Sequence, residues 1–144
     1  MHDTSKCVMG GGQSSIKDVR SKKAKSGSVG LVPAGTVVHL KSDDTLSPVA
    51  SDGAVVGISM GKDQSNTDRV SYCERGNAIP ALLTSGFTPT KTAAVWYDPT
   101  TGKLAASSGS ATALNARYAS GKLTGIAEDG TSVDAALIDF NGNL

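Results

Sequence analysis

Ser59 is the residue whose surroundings come nearest to a catalytic motif. The run Gly57-Ile58-Ser59-Met60-Gly61 matches G-x-S-x-G, in which a serine on a strand-to-helix turn is activated by a histidine later in the chain. The polar residues 62–66 that follow have no helical pattern, and both histidines, His2 and His39, precede Ser59. The sequence therefore predicts a strand and a turn here, and no enzyme.

Two further motif fragments lie near the start of the chain. Ser14-Ser15-Ile16-Lys17 fits S-x-x-K, but the S-D-N and K-T-G partners of that chemistry are absent from the sequence. Gly10-Gly11-Gly12 lacks the Walker pattern and the preceding strand that phosphate binding requires. Chance and a flexible linker explain these fragments, so we expect no catalytic residue and no cofactor.

The candidate metal ligands are few and scattered. His39 lies in a strand pattern with no second histidine or carboxylate at ligand spacing, which favours a structural role. Asp43-Asp44 and Asp98 lie in turns, where aspartate is favoured because its side chain accepts hydrogen bonds from nearby backbone N–H groups. A calcium site at these turns is the alternative, but we expect no bound metal.

Basic side chains are concentrated near the N-terminus. Residues 1–28 hold six basic and two acidic side chains, whereas the rest of the chain holds eight and eleven. The cluster Lys22-Lys23-Ala24-Lys25 can contact phosphates or an acidic protein surface, and no aromatic residues interleave with it for base stacking. We predict a basic flexible arm at 1–28 that orders on a partner, with a solubilising tail as the alternative. Its candidate docking residues are Lys17, Arg20, Lys22, Lys23 and Lys25.

The composition favours one β-rich body. The chain has 144 residues, 17 glycines and only 4% aromatic residues, so the core should be built from Val, Leu, Ile and Ala. Cys7 and Cys73 form no C-x-x-C pair, which indicates a reducing compartment. No apolar run is long enough for a membrane span or a signal sequence, so we expect synthesis in the cytosol.

Short β-branched runs alternate with turn signals after the arm. The main predicted strands are Thr36–Leu40, Ala54–Ser59, Arg69–Glu74 and Ala78–Leu83, with a turn at 75–77 and a short edge strand at Leu46–Val49. Helical patterns between the strands are missing, apart from a turn or two at Ala111–Ala119. The fold expected is all-β: a small antiparallel sandwich or barrel, jelly-roll-like or β-tulip-like, with the flexible N-terminal arm.

The body, residues 29–144, repeats its order of patterns near Phe87. Ala93–Tyr97 stands where Thr36–Leu40 stood, and Leu123–Ala127 stands where Val55–Ser59 stood. Residues 107–120 have no counterpart in the first half. These matches suggest two related halves, 29–86 and 87–144.

The stretch Thr36–Leu83 resembles the head decoration (cement) proteins of tailed phages, in particular the lambda-like type. The resemblance is carried by Val38-His39-Leu40, Leu46-Ser47-Pro48-Val49, the polar loop 62–67 and Arg69-Val70-Ser71-Tyr72. Its most specific part is Asp52-Gly53-Ala54-Val55-Val56-Gly57-Ile58. It covers about a third of the chain, and the longer C-terminal half departs from the family pattern.

The resemblance implies a capsid protein. Family members are β-rich structural proteins on the outside of the virion, and they bridge neighbouring major capsid protein subunits against the pressure of packaged DNA. It implies a homo-oligomer (trimer or dimer), no direct contact with nucleic acid or membrane, and capsid docking completed by the N-terminal arm. A head-fibre base or a tail-associated protein is the alternative.

Overall fold

The protein is all-β, as the sequence predicts. The computed structural model describes residues 6–9, 16–23, 32–62 and 69–142. Within these ranges there is one 3₁₀ turn, Ala50–Asp52, no α-helix, and eleven strands. The strands are β1 (Lys6–Val8), β2 (Ile16–Lys23), β3 (Val37–Leu40), β4 (Leu46–Ser47), β5 (Ala54–Lys62), β6 (Arg69–Leu82), β7 (Ala94–Tyr97), β8 (Leu104–Ala105), β9 (Thr112–Tyr118), β10 (Leu123–Ile126) and β11 (Ser132–Phe140).

All these strands belong to one sheet. Its main path runs β4-β3-β5-β6-β11-β9-β7-β8, with β2 paired to β6 and β10 paired to both β11 and β1. Every ladder is antiparallel except β1–β10. The Val37 N–H donates to the Gly102 carbonyl (2.8 Å), and a parallel bridge joins Leu83 to Leu104. These contacts bring the β7–β8 hairpin against the first half of the sheet.

The centre of the sheet is β6, a single strand of 14 residues. The turn predicted at 75–77 is wrong: β6 continues through these residues, with Ala78 in the left-handed region (φ 54°) and its N–H bonded to Asp139 Oδ1 at 2.9 Å. The first part of β6 pairs with β2 and β5 and the second part pairs with β11, so partners hold the backbone extended on both sides of the distortion.

Two segments of the expected N-terminal arm are strands. Residues 16–23 pair with β6 along its first part, and β1 pairs in parallel with β10. Cys7 and Met9 are buried in a cluster with Ala34, Leu82 and Ala135. These pairings satisfy backbone groups of β6 and β10, a long-range requirement that a polar local sequence does not reveal. Residues 1–5, 10–15 and 24–28 lie outside the described residues, so the arm boundary at 28 stays a prediction.

The helical turn expected at Ala111–Ala119 is wrong, because the segment forms strand β9. Leu114, Ala116 and Tyr118 alternate inward, which is the two-residue period of a half-buried strand. In the sheet, β9 takes the place beside β7 that β5 takes beside β3. The counterpart proposed for β5, Leu123–Ala127, instead contains β10, which pairs with the first part of β11 on the same edge as β9.

The two halves nevertheless share strand order and local hydrogen bonding. The order β4-β3-β5-β6 of the first half corresponds to β8-β7-β9-β11 of the second. In each half, two backbone hydrogen bonds also join the residues just before β3 or β7 to the neighbouring strand. In the first half, the Gly35 N–H donates to the Ser59 carbonyl and the Ser59 N–H donates to the Thr36 carbonyl. In the second half, the Thr92 N–H donates to the Tyr118 carbonyl and the Tyr118 N–H donates to the Ala93 carbonyl. An origin of the halves by repetition stays a prediction.

The main core draws on both halves and on aromatic residues. It includes Val37, Ile58, Val95, Tyr97, Leu104, Tyr118, Ile138 and Phe140. A second cluster contains Val32, Val38, Leu46, Val70 and Tyr72. The expectation of a purely aliphatic core is therefore wrong, because three tyrosines and Phe140 are at most 3% exposed.

Candidate functional site

Four of the five candidate docking residues lie on β2. Lys17, Arg20, Lys22 and Lys23 are held by a backbone ladder to β6, opposite Arg75, Tyr72, Val70 and Arg69. An eight-residue strand spans roughly 26 Å, so the basic positions are spread along an extended line. Lys25 lies outside the described residues.

Ser59 is an interior residue of strand β5, and the turn that a nucleophile elbow requires does not occur there. Its side chain is 1% exposed. The hydroxyl donates to the Val32 carbonyl (2.8 Å) and accepts from the Gly61 N–H (3.1 Å). The Ser59 side chain therefore has a structural role: it holds the backbone at Gly61, the last residue of the motif, and at Val32.

His39 lies in a buried group that also contains a serine and an aspartate. Its Nε2 atom lies 2.8 Å from the Tyr97 hydroxyl, and its Nδ1 atom lies 3.4 Å from the Ser47 carbonyl. The Ser47 hydroxyl donates to Asp52 Oδ2. The imidazole thus contacts the serine carbonyl and not its hydroxyl, which is not the order of a catalytic triad. Burial lowers the pKa of His39, and the bond to Ser47 and the charge of Asp52 oppose this shift.

Two of the aspartates predicted to lie in turns, Asp43 and Asp98, form Asx turns, and a third Asx turn, at Asp129, was not foreseen. Asp43, Asp98 and Asp129 each accept two hydrogen bonds at Oδ1 from the threonine two residues later, one from its N–H and one from its hydroxyl. The threonine side-chain bond is the main cause that lowers the pKa of each carboxyl. The part of the chain that the structure describes contains no group of three or more His, Cys, Asp or Glu residues that could hold a metal ion.

A groove at the β7–β9 end was missed by sequence reasoning. A cavity of about 330 Å³, here called the aromatic groove, is lined by Phe87, Pro89, Thr90, Trp96, Ser107 and Tyr118 among others. A neighbouring cavity of about 430 Å³, the serine cleft, is lined by Ser85, Asp98, Ser108 and Ser110 among others. The two share Phe87, Ala105 and Ala106, so they form one continuous depression.

Tyr118 is the unusual member of the aromatic groove. It is 3% exposed, and its hydroxyl makes no hydrogen bond with any residue that the structure describes. Burial raises the pKa of Tyr118 to about 12. Its ring packs against Phe87 with 6.3 Å between centroids and a 56° tilt. A buried hydroxyl without a partner costs free energy, so the Tyr118 hydroxyl does not stabilise the fold.

The comparisons with known proteins identify no relative. No protein-family model, no curated protein and no solved structure matches the chain significantly. In the described ranges, no helix is long and apolar enough to cross a membrane.

Proposed function

We propose that this protein is a capsid decoration (cement) protein that binds the outer surface of an icosahedral phage head and stabilises contacts between major capsid protein subunits. The observation that carries the proposal is that the residues of the family resemblance, Thr36–Leu83, contain four consecutively hydrogen-bonded strands, β4-β3-β5-β6. The basic strand β2 is added to the same unit.

The structure explains why glycine occurs at two positions in the most specific part of the resemblance, Asp52–Ile58. A Cβ atom on Gly53 would collide with the Leu40 carbonyl, and one on Gly57 would collide with the Cys73 carbonyl. The glycines of the Asp52–Ile58 segment therefore permit the close approach of β5 to its neighbours. This supports reading the shared pattern as a shared local fold, on which the proposal depends.

Charge supports a docking role for β2. Residues 1–28 carry a formal balance of +4 and the rest of the chain −3. A basic extended strand on a mildly acidic body favours one orientation on an acidic protein surface, and electrostatic complementarity of this kind raises the rate of association and fixes orientation more than it adds affinity. Several identical copies on a symmetric shell would gain further from avidity, by about 10²–10⁴.

The test is binding to purified expanded phage heads that lack their decoration protein. Deleting residues 1–28 would also remove β1 and β2, so charge neutralisation is the sharper change. We expect the variant Lys17→Gln, Arg20→Gln, Lys22→Gln, Lys23→Gln to bind heads at least about tenfold more weakly in co-sedimentation, with an unchanged far-UV circular dichroism spectrum.

The matched control neutralises four exposed basic residues outside the arm: Lys91→Gln, Lys103→Gln, Arg117→Gln and Lys122→Gln. It changes the net charge equally and should bind heads like the unmodified chain. Equal weakening by both variants would argue against β2 as the docking strand. Failure of the unmodified protein to bind heads, or labelling of tails in micrographs of particles, would contradict the decoration function itself.

A further inference from the structure

The aromatic groove concentrates the few aromatic residues of the chain. The protein has six Phe, Trp and Tyr residues, and three of them, including the only tryptophan, line this one cavity. Trp96 is half-buried, and it makes no hydrogen bond through its indole N–H within the described part of the chain. A partly exposed tryptophan that lines a surface cavity and keeps a free donor is typical of a binding site.

The arrangement of the rings favours stacking on one face. Phe87 and Tyr118 pack on each other at a steep tilt, so they leave no parallel slot between them. A polyproline segment is held in grooves between aromatic side chains. Here Trp96 is the remaining ring of the groove, and a single platform suits a flat ring that carries C–H groups on its face, because the aromatic face is electronegative.

The polar groups around the platform are mostly hydroxyls. The aromatic groove is lined by Thr90 and Ser107, and none of its lining residues in the described part of the chain carries a formal charge at neutral pH. The adjoining serine cleft adds further serine hydroxyls and one carboxylate, Asp98. Such a lining offers many donors and acceptors and little net charge, which matches an uncharged ligand that is rich in hydroxyl groups.

Tyr118 supplies a buried part of the lining of the groove. Its hydroxyl has no partner among the described residues, and the oxygen itself is enclosed, so a ligand would meet the ring and not the oxygen. The groove therefore offers a ligand aromatic surface from Phe87, Trp96 and Tyr118 and polar contacts from its threonine and serine hydroxyls.

We propose that the aromatic groove and the serine cleft bind a neutral saccharide, with one sugar ring stacked on Trp96 and a second ring in the serine cleft near Asp98. The combined depression, with cavities of about 330 and 430 Å³, falls in the range of small-molecule sites, about 300–1,000 Å³. This inference does not depend on capsid binding.

Trp96 is the only tryptophan of the chain, so the tryptophan fluorescence reports directly on binding at this site. The full-length protein is titrated with maltotriose, cellotriose, mannotriose and triacetylchitotriose while the emission of Trp96 is recorded. We expect at least one of these trisaccharides to shift or quench the emission saturably, with a dissociation constant of about 1 mM or tighter. No saturable change with any of the four would overturn the proposal.

One variant locates the binding. Ala106→Arg, at an exposed rim position shared by both cavities, should block binding without disturbing the core. The matched control Thr112→Ala lies on β9 outside the lining and should bind normally.

Two outcomes would contradict saccharide binding in the aromatic groove. Saccharide binding that is unchanged in Ala106→Arg would place the ligand elsewhere and overturn the proposal. A proline-rich decapeptide that shifts Trp96 emission when none of the saccharides does would assign the groove to peptide recognition instead.

Discussion

The Nε2 atom of His39 lies 2.8 Å from the hydroxyl oxygen of Tyr97, and this bond joins β3 of the first half to β7 of the second. Both residues are nearly inaccessible, at 1% and 2% exposed. The Ser47 carbonyl can only accept, so the proton lies on Nδ1, and Nε2 accepts from Tyr97. Two tyrosines of the core thus differ: the hydroxyl of Tyr97 has a partner, and that of Tyr118 has none among the described residues.

Tyr97→Phe should destabilise the protein. The change leaves His39 Nε2 buried without a donor, which costs about 1–3 kcal/mol in the free energy of unfolding. Tyr118→Phe makes the same chemical change where no bond is lost, and it should be neutral or stabilising. Urea unfolding at pH 8 measures both. Equal losses in the two variants would contradict the role given to the His39–Tyr97 bond.

Stability should fall as the pH drops below about 6.5. The pKa of folded His39 is lowered by burial, whereas the unfolded chain has the ordinary value near 6.5, so the unfolded state binds more protons in this window. The loss begins near pH 6.5 and levels off below the folded pKa. Urea midpoints measured from pH 8 to pH 5 should show it.

The variant His39→Gln should have a flatter profile over the same pH range, because it removes the titrating group. The chain has one other histidine, so His2→Gln is the matched control and should keep the pH dependence of the unmodified protein. A pH dependence that survives in His39→Gln would assign the effect to another group.

The Asx turn at Asp98 should contribute at neutral pH and be lost in acid. The hydrogen bonds from Thr100 lower the pKa of this carboxyl, so its contribution is present above about pH 3.8 and disappears as the pH falls through the lower folded value. Asp98→Ala should lower the melting temperature at pH 7 more than Asp98→Asn, which keeps an acceptor oxygen. The difference between the two variants should persist at pH 3, because neither titrates.

Gly57→Ala should destabilise the junction of β5 and β6. The added methyl would meet the Cys73 carbonyl and a ring carbon of Tyr72, so the two strands would have to separate, at a cost on the order of 1–3 kcal/mol. Gly121→Ala is the matched control, because its nearest atom is the Pro89 carbonyl at 3.8 Å and its backbone is not left-handed. Thermal unfolding of both variants is the measurement. A similar loss in both would show that the close approach is not the cause.

Local pattern was sufficient for the strands whose side chains are β-branched and apolar. Thr36–Leu40, Ala54–Ser59 and Arg69–Glu74 were predicted as strands and contain or overlap β3, β5 and β6. The segment of β9 was misjudged because alanine suits a helix as well as a strand, although Leu114, Ala116 and Tyr118 already showed the two-residue period.

Long-range pairing could not be predicted from local pattern. Strand β2 has a polar sequence, and it is a strand because it satisfies backbone groups of β6, more than 45 residues away. The aromatic groove was missed for the same reason. Phe87, Trp96 and Tyr118 come from three separate segments, and only the folded chain brings them together.

The continuity of β6 bears on how the protein would carry mechanical load. The strand pairs with β2 and β5 along its first part and with β11 along its second, so both halves are attached to one covalent backbone. Tension applied along β6 passes through peptide bonds, whereas tension across it is resisted by hydrogen bonds and side-chain packing. The body should therefore be stiffest along β6 and yield first at right angles to it.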